Sequence, residues 1–183
     1  MPKPTLLLFT DNFPYGFGEP FLETEISVLA IHFDRVFVIP HRRSGIARTL
    51  PTTENITLID DLWQTYHALT SSRLQHMSVP LTEAHFYGEL IRHPAMLKSG
   101  KMLKSMLTFF TQVRAIRLWI SRFLEDNHID PQTTLIYTYW MNGITFGVTS
   151  LLQQTENWRV ISRVHGYDLY HHRHTGHYMP LWQ

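Results

Sequence analysis

The sequence has no cysteine. That absence excludes disulfides, thiolate metal sites and a cysteine nucleophile, and it fits a cytoplasmic protein. There is also no run approaching the roughly 20 apolar residues that a membrane-spanning helix needs. The first apolar run, Leu6 to Phe9, is shorter than the roughly 7–15 residues of a signal-peptide core, and Asp11 and Asn12 end it. Net charge is nearly absent, because 16 Lys+Arg against 15 Asp+Glu leave +1. Such a balance gives no general attraction to nucleic acid, so any electrostatic argument has to be local. Internal repeats and low-complexity tracts are missing as well.

What is present is a chain of 183 residues, 44% hydrophobic, which suits one globular domain with a sizeable core. Short apolar runs rich in β-branched and aromatic residues alternate with helical patterns. Strands are expected at Thr5–Thr10, Arg35–Pro40, Ile56–Ile59, Thr134–Tyr139 and Arg159–Val164. Helices are expected at Phe21–Phe33, Leu62–Met77 and Gly143–Gln154. A longer helical stretch over about 82–127, with Pro94 and Gly100 as interruptions, reads as an insertion. Alternation of this kind predicts an α/β, Rossmann-like doubly wound parallel sheet with helices on both faces.

Three segments carry chemistry, and each follows a predicted strand, where open α/β sheets bind ligands. The first, Asp11 to Phe21, reads DNFPYGFGEPF. Gly16 and Gly18 allow close backbone approach or positive φ, and the first turn of the helix that follows favours an anion such as phosphate. The second, Tyr137 to Gly143, reads YTYWMNG. Tyr139 and Trp140 suit stacking on a sugar, and Asn142 suits a helix cap. The third, Ser162 to Tyr170, reads SRVHGYDLY. Here His165 can exchange a hydrogen bond with a reacting sugar, and Asp168 can orient it or cap a helix. Five histidines lie between His165 and His177, but their spacing matches no recognised metal site, so no metal is expected. Each segment also has a plainer reading: a turn, an aromatic rim and a solvated loop.

Taken in order, FPYGFGEPFLETEI, YTYWMNG and SRVHGYDLY resemble the N-terminal domain of family-4 retaining glycosyltransferases, nearest to bacterial members that build surface polysaccharides. The likeness covers about residues 5–40 and 133–180. It implies the N-terminal half of a GT-B fold and transfer from a nucleotide-sugar donor to a glycan or lipid-linked acceptor, with no cofactor. Gly16 and Gly18 would approach the donor diphosphate, and His165 the transferred sugar. Asp168 belongs to the same motif; Glu19 and Glu25 match acidic positions without a firm task. Tyr139, Trp140 and Asn142 would line the acceptor cleft. The family's C-terminal nucleotide-binding domain has no counterpart here, so residues 1–183 are expected to be a truncated single domain that is inactive in isolation.

Between Leu90 and Leu124 there is no Asp or Glu, yet Lys98, Lys101, Lys104, Arg114 and Arg117 are present. A core-facing helix with a solvated basic face explains the pattern. So does a contact with lipid phosphate at the inner face of the cytoplasmic membrane. Arg117 falls inside the apolar arc and requires a partner or an anionic ligand. Two other functions stand beside sugar transfer: a non-catalytic glycan-binding or regulatory module, and a metal-dependent hydrolase built on the histidines. Nucleic acid is not an expected partner.

Overall fold

A computed structural model describes residues 3–153 and 157–181. Gln154, where one helix was expected to end, and Trp182 and Gln183 lie outside the described residues. Five strands, β1 (Thr5–Thr10), β2 (Arg35–Pro40), β3 (Ile56–Leu58), β4 (Thr134–Thr138) and β5 (Arg159–Ser162), form one sheet in the order β3-β2-β1-β4-β5. Every neighbouring pair is parallel, with Leu7 opposite Phe37 on one side and Ile136 on the other. The chain therefore winds one way from β1 to β3 and then returns to β1's other side, which makes the gap between β1 and β4 the topological switch point.

Strand alternation splits the core into two layers. Leu7, Phe9, Phe37, Ile39 and Ile136 face one way, against α2 (Asp61–Thr70), α5 (Gly100–Asp126) and α6 (Gly143–Leu152). Leu6, Leu8, Val36, Val38 and Tyr137 face the other way, against Leu22 and Ile26 of α1 (Leu22–His32). The central strand β1 is buried along its whole length, as a parallel strand covered on both faces must be. The expected doubly wound α/β fold is the observed one.

The middle of the chain departs from the expectation in detail. The run Leu62–Met77 breaks at Ser71 and Ser72, where Ser72 Oγ accepts from Gln75 N at 3.2 Å and starts α3 (Arg73–Ser78). Gly100 does not interrupt a helix; it opens the 27-residue α5, and Pro94 sits in the short 3-10 turn before it. The stretch expected as an insertion then divides in two. At 1.5 Å per residue α5 is about 40 Å long, whereas strands of five or six residues span about 17–20 Å. Its C-terminal half, with Ala115, Ile116, Trp119 and Phe123, is the crossover helix packed on the sheet. Its N-terminal half overhangs the carboxyl edge and builds a third core, in which Met106 and Phe110 pack with Phe86 of α4 (Ala84–Arg92) and with Tyr178.

Helices α5 and α6 meet through glycine. A Cβ on Gly147 would lie 2.2 Å from Ile116 Cγ2, and one on Gly143 would lie 2.3 Å from the Phe109 carbonyl oxygen. Gly147→Ala is expected to lower stability by about 1–3 kcal/mol through overpacking. Gly18→Ala, with nothing within 4 Å of the added methyl, is expected to stay within about 0.5 kcal/mol of the parent. Urea unfolding of both variants checks the contrast.

Candidate functional site

The carboxyl ends of β1, β4 and β5 carry the three segments singled out in the sequence, and Glu19 ties the first two together. It adopts φ 56, a left-handed conformation that costs a non-glycine residue about 1–2 kcal/mol. Hydrogen bonding offsets that cost. The Glu19 carboxylate accepts from the backbone N–H groups of Asp11 (2.8 Å), Asn12 (2.9 Å) and Phe13 (2.7 Å) and from Trp140 Nε1 (2.9 Å). These N–H groups form the strand-end cradle an external anion would use, and the protein's own carboxylate fills it.

The glycines of this loop serve different ends. Gly16 has φ 62, donates its N–H to the Ile46 carbonyl at 2.9 Å and lies against Ser44. Asn12 locks the same junction, since its Nδ2 donates to the carbonyls of Tyr15 and Ser44 while its Oδ1 accepts from Ser44 N at 2.8 Å. Arg48 clamps the loop's other arm, with Nη1 on Glu23 at 2.7 Å and Nη2 on the Gly18 carbonyl. Gly18 and the fully exposed Phe17 form the tip.

On β4's side, Tyr139 is 1% exposed and packs in the core layer facing α1, its hydroxyl pushed above its ordinary range by burial. Its backbone carbonyl accepts from Nε2 of His165 at 3.1 Å, and the His165 ring lies 4.2 Å from the Trp140 ring. Asp168, in the single-turn α7 (Gly166–Leu169), accepts from His165 N at 2.9 Å while Asp168 N donates to the His165 carbonyl. Burial raises the Asp168 carboxyl above its usual range, and the N–H groups of His165 and Met141 pull it back. Asp168 thus fixes the backbone at His165. Asn142 caps α6, its Oδ1 accepting from Ile144 N at 2.9 Å. Glu25, the other acidic match, pairs with Arg163 at 2.6 Å and accepts from the Tyr137 hydroxyl at 3.0 Å. Burial first, then the Glu25 charge, pushes that hydroxyl up to about 12.

Beneath the switch point lies a buried polar relay. His41, at the end of β2, is 1% exposed. Its Nδ1 donates to the Thr10 carbonyl at 3.2 Å, and its Nε2 accepts from Gln112 Nε2 at 3.0 Å; Gln112 Oε1 in turn accepts from Gly143 N at 3.2 Å. Asp11 Oδ1 stands 3.3 Å from the same Nε2. Burial pushes the His41 pKa down to about 4, although Asp11 pulls it up, so the ring is neutral and links β1, β2, α5 and α6.

Above the relay, α5 and α6 border a cleft of about 600 Å³. A stripe of α5 (Lys101, Lys104, Ser105, Thr108, Phe109) forms one wall, and Asn142, Thr145 and Phe146 form another. Tyr167, Asp168, His174 and the stretch Met179–Leu181 close it. The structure therefore brings Asn142, Asp168, Lys101 and Lys104 together. Gly16 and Gly18 lie apart, on the β2 side, and Trp140 borders a small pit between β1 and β4. Lys98, Arg114 and Arg117 do not line the cleft. The partner that Arg117 requires is Glu83, 2% exposed, at 2.7 Å, with Ser150 Oγ at 2.9 Å. Sequence reasoning missed His41 and Gln112. His41 follows a strand directly, the same signal that singled out His165; Gln112, in mid-helix, carried none.

Among the described residues no three His, Asp or Glu side chains are grouped to hold a metal ion, and no helix is long and apolar enough to cross a membrane. No family model, curated protein or solved structure matches the chain.

Glu19→Gln places an amide N–H₂ among N–H donors and is expected to cost about 3 kcal/mol, with a change in Trp140 fluorescence; urea unfolding and emission spectra read both. For His41 the sign is set by the unfolded chain, which takes up a proton near the ordinary 6.5 while the folded ring resists until about 4. The His41 contribution to stability therefore falls as pH drops through that window and levels off below it. The stability gap between the parent and His41→Asn should narrow from pH 7.5 to pH 4 in urea midpoints.

Proposed function

We propose that this chain is the acceptor-side domain of a retaining glycosyltransferase, taking a sugar from a nucleotide-sugar donor to a glycan or lipid-linked acceptor in surface polysaccharide synthesis. The observation that carries the reading is the joining of the three motif segments. They come from the ends of different strands, yet Glu19 bonds Trp140, and His165 bonds the Tyr139 carbonyl and lies tilted against the Trp140 ring. Glu19, Trp140, His165 and Asp168, one or two from each segment that resembles family-4 enzymes, form one unit beside the switch point, where α/β sheets place ligands. In this reading His165 presents its half-buried edge to the transferred sugar, with Asp168 positioning it. Acceptor groups enter the cleft past Asn142. The leaving diphosphate requires cationic stabilisation, supplied from outside these residues by a nucleotide-binding domain.

A second reading, a glycan-binding module without transfer, is favoured by one observation. Glu19 fills the N–H cradle that a donor phosphate would use.

Nucleotide release from a panel of sugar donors, with oligosaccharide acceptors and the full native gene product, separates the two. Transfer is expected, lowered at least about 100-fold in His165→Ala. Oligosaccharide binding without release from any donor selects the binding module. Neither binding nor release overturns both.

A further inference from the structure

The cleft between α5 and α6 combines two features that ordinary packing does not explain. Its lining is mostly apolar, with Phe109, Phe146, Met141 and Met179 around a space of about 600 Å³. That size suits a small amphiphile rather than a few waters. At one end stand Lys101 and Lys104, both exposed, one turn apart in the first turns of α5. A helix start favours acidic residues because its free N–H groups are electropositive. Here the first turn has no acid, and none occurs between Leu90 and Leu124. Among the described residues, the one carboxylate lining the cleft, Asp168, is engaged by backbone N–H groups. Among the described residues, the positive charge at the mouth of this cleft therefore has no ion-pair partner.

We infer that this cleft binds a phosphate ester of an apolar chain, with Lys101 and Lys104 on the phosphate and the chain between Phe109 and Phe146. Two ammonium groups near a helix start, with the Ser105 hydroxyl beside them, suit a multiply charged, several-oxygen anion better than a carboxylate. The walls have no use for a free phosphate. As the identity of the acceptor, this inference rests on the transferase reading; as a binding site, it does not.

Octyl phosphate, below its micelle concentration, is the ligand to test, against octanol, octanoate and inorganic phosphate. Methyl NMR of the methionines reads its position, since Met141 and Met179 line the cleft while Met77 is exposed elsewhere. Octyl phosphate is expected to shift Met141 and Met179 selectively and to bind at least about ten-fold more tightly than the other three, a margin that the double variant K101E/K104E removes. Equal binding of octanol or octanoate overturns the phosphate assignment. Tight inorganic phosphate binding without a chain contribution, or shifts that spare Met141 and Met179, overturns the cleft. A methionine spectrum matching the parent shows the variant to be folded. The outcomes also separate the two proposals. Binding without sugar transfer sinks the transferase and leaves the site. Transfer to a water-soluble glycan, unaffected by K101E/K104E and without octyl phosphate binding, does the reverse.

Discussion

The carboxylate of Glu19 is the tie on which the arrangement at the sheet's edge depends. Three consecutive backbone N–H groups at the end of β1 have no strand partner once the chain turns away, and buried N–H groups must be bonded. Glu19, eight residues beyond Asp11, returns to take all three and uses its remaining capacity on the Trp140 indole. The loop after β1 is thereby closed on itself and fastened to the loop after β4. Trp140 in turn supports the His165 ring, so a left-handed glutamate sets the relative positions of groups from three strands.

The same economy recurs elsewhere. Among the described residues, Glu19, Glu83, Glu89 and Asp168 are buried acids, and burying a charge is costly unless it is paired or hydrogen-bonded. Each has such partners. Glu83 meets Arg117, Glu89 accepts from Leu181 N, and Asp168 accepts from His165 N. These bonds add polar ties between segments: α4's start to α5, α4 to the stretch around Tyr178, and the turn after β5 to α7.

Shape comes from a different source. Gly143 and Gly147 let α6 approach the backbone of α5 more closely than any side chain would permit. The two helices are pinned there, at the very start of α6, and the N-terminal turns of α5 run on past that start because α5 is about twice as long as the strands. The cleft lies along this overhang, between α5, the start of α6 and the stretch Met179–Leu181. The neutral His41 and Gln112 form its underside by linking the Thr10 carbonyl to the start of α6.

Much of the fold was legible in the sequence, because strand and helix periodicity are local and the sheet buries both faces. The five strands, α1 and the Asn142 cap all follow from residues within a few positions of one another. Even the need for a partner at Arg117 could be read from its place on the apolar arc. The identity of that partner could not: Glu83 lies 34 residues away, and only the folding of α4's start onto α5 brings it near. Nor could the sequence say that Tyr139 would turn inward, or that Lys101 and Lys104, two members of a basic stretch, would line a cleft while Arg117 was consumed in a pair. Local pattern thus determined which segments are strands and helices and which residue types stand at strand ends. Tertiary structure alone decided which of them meet, because hydrogen-bond partners and cavities depend on distances between residues far apart in the chain.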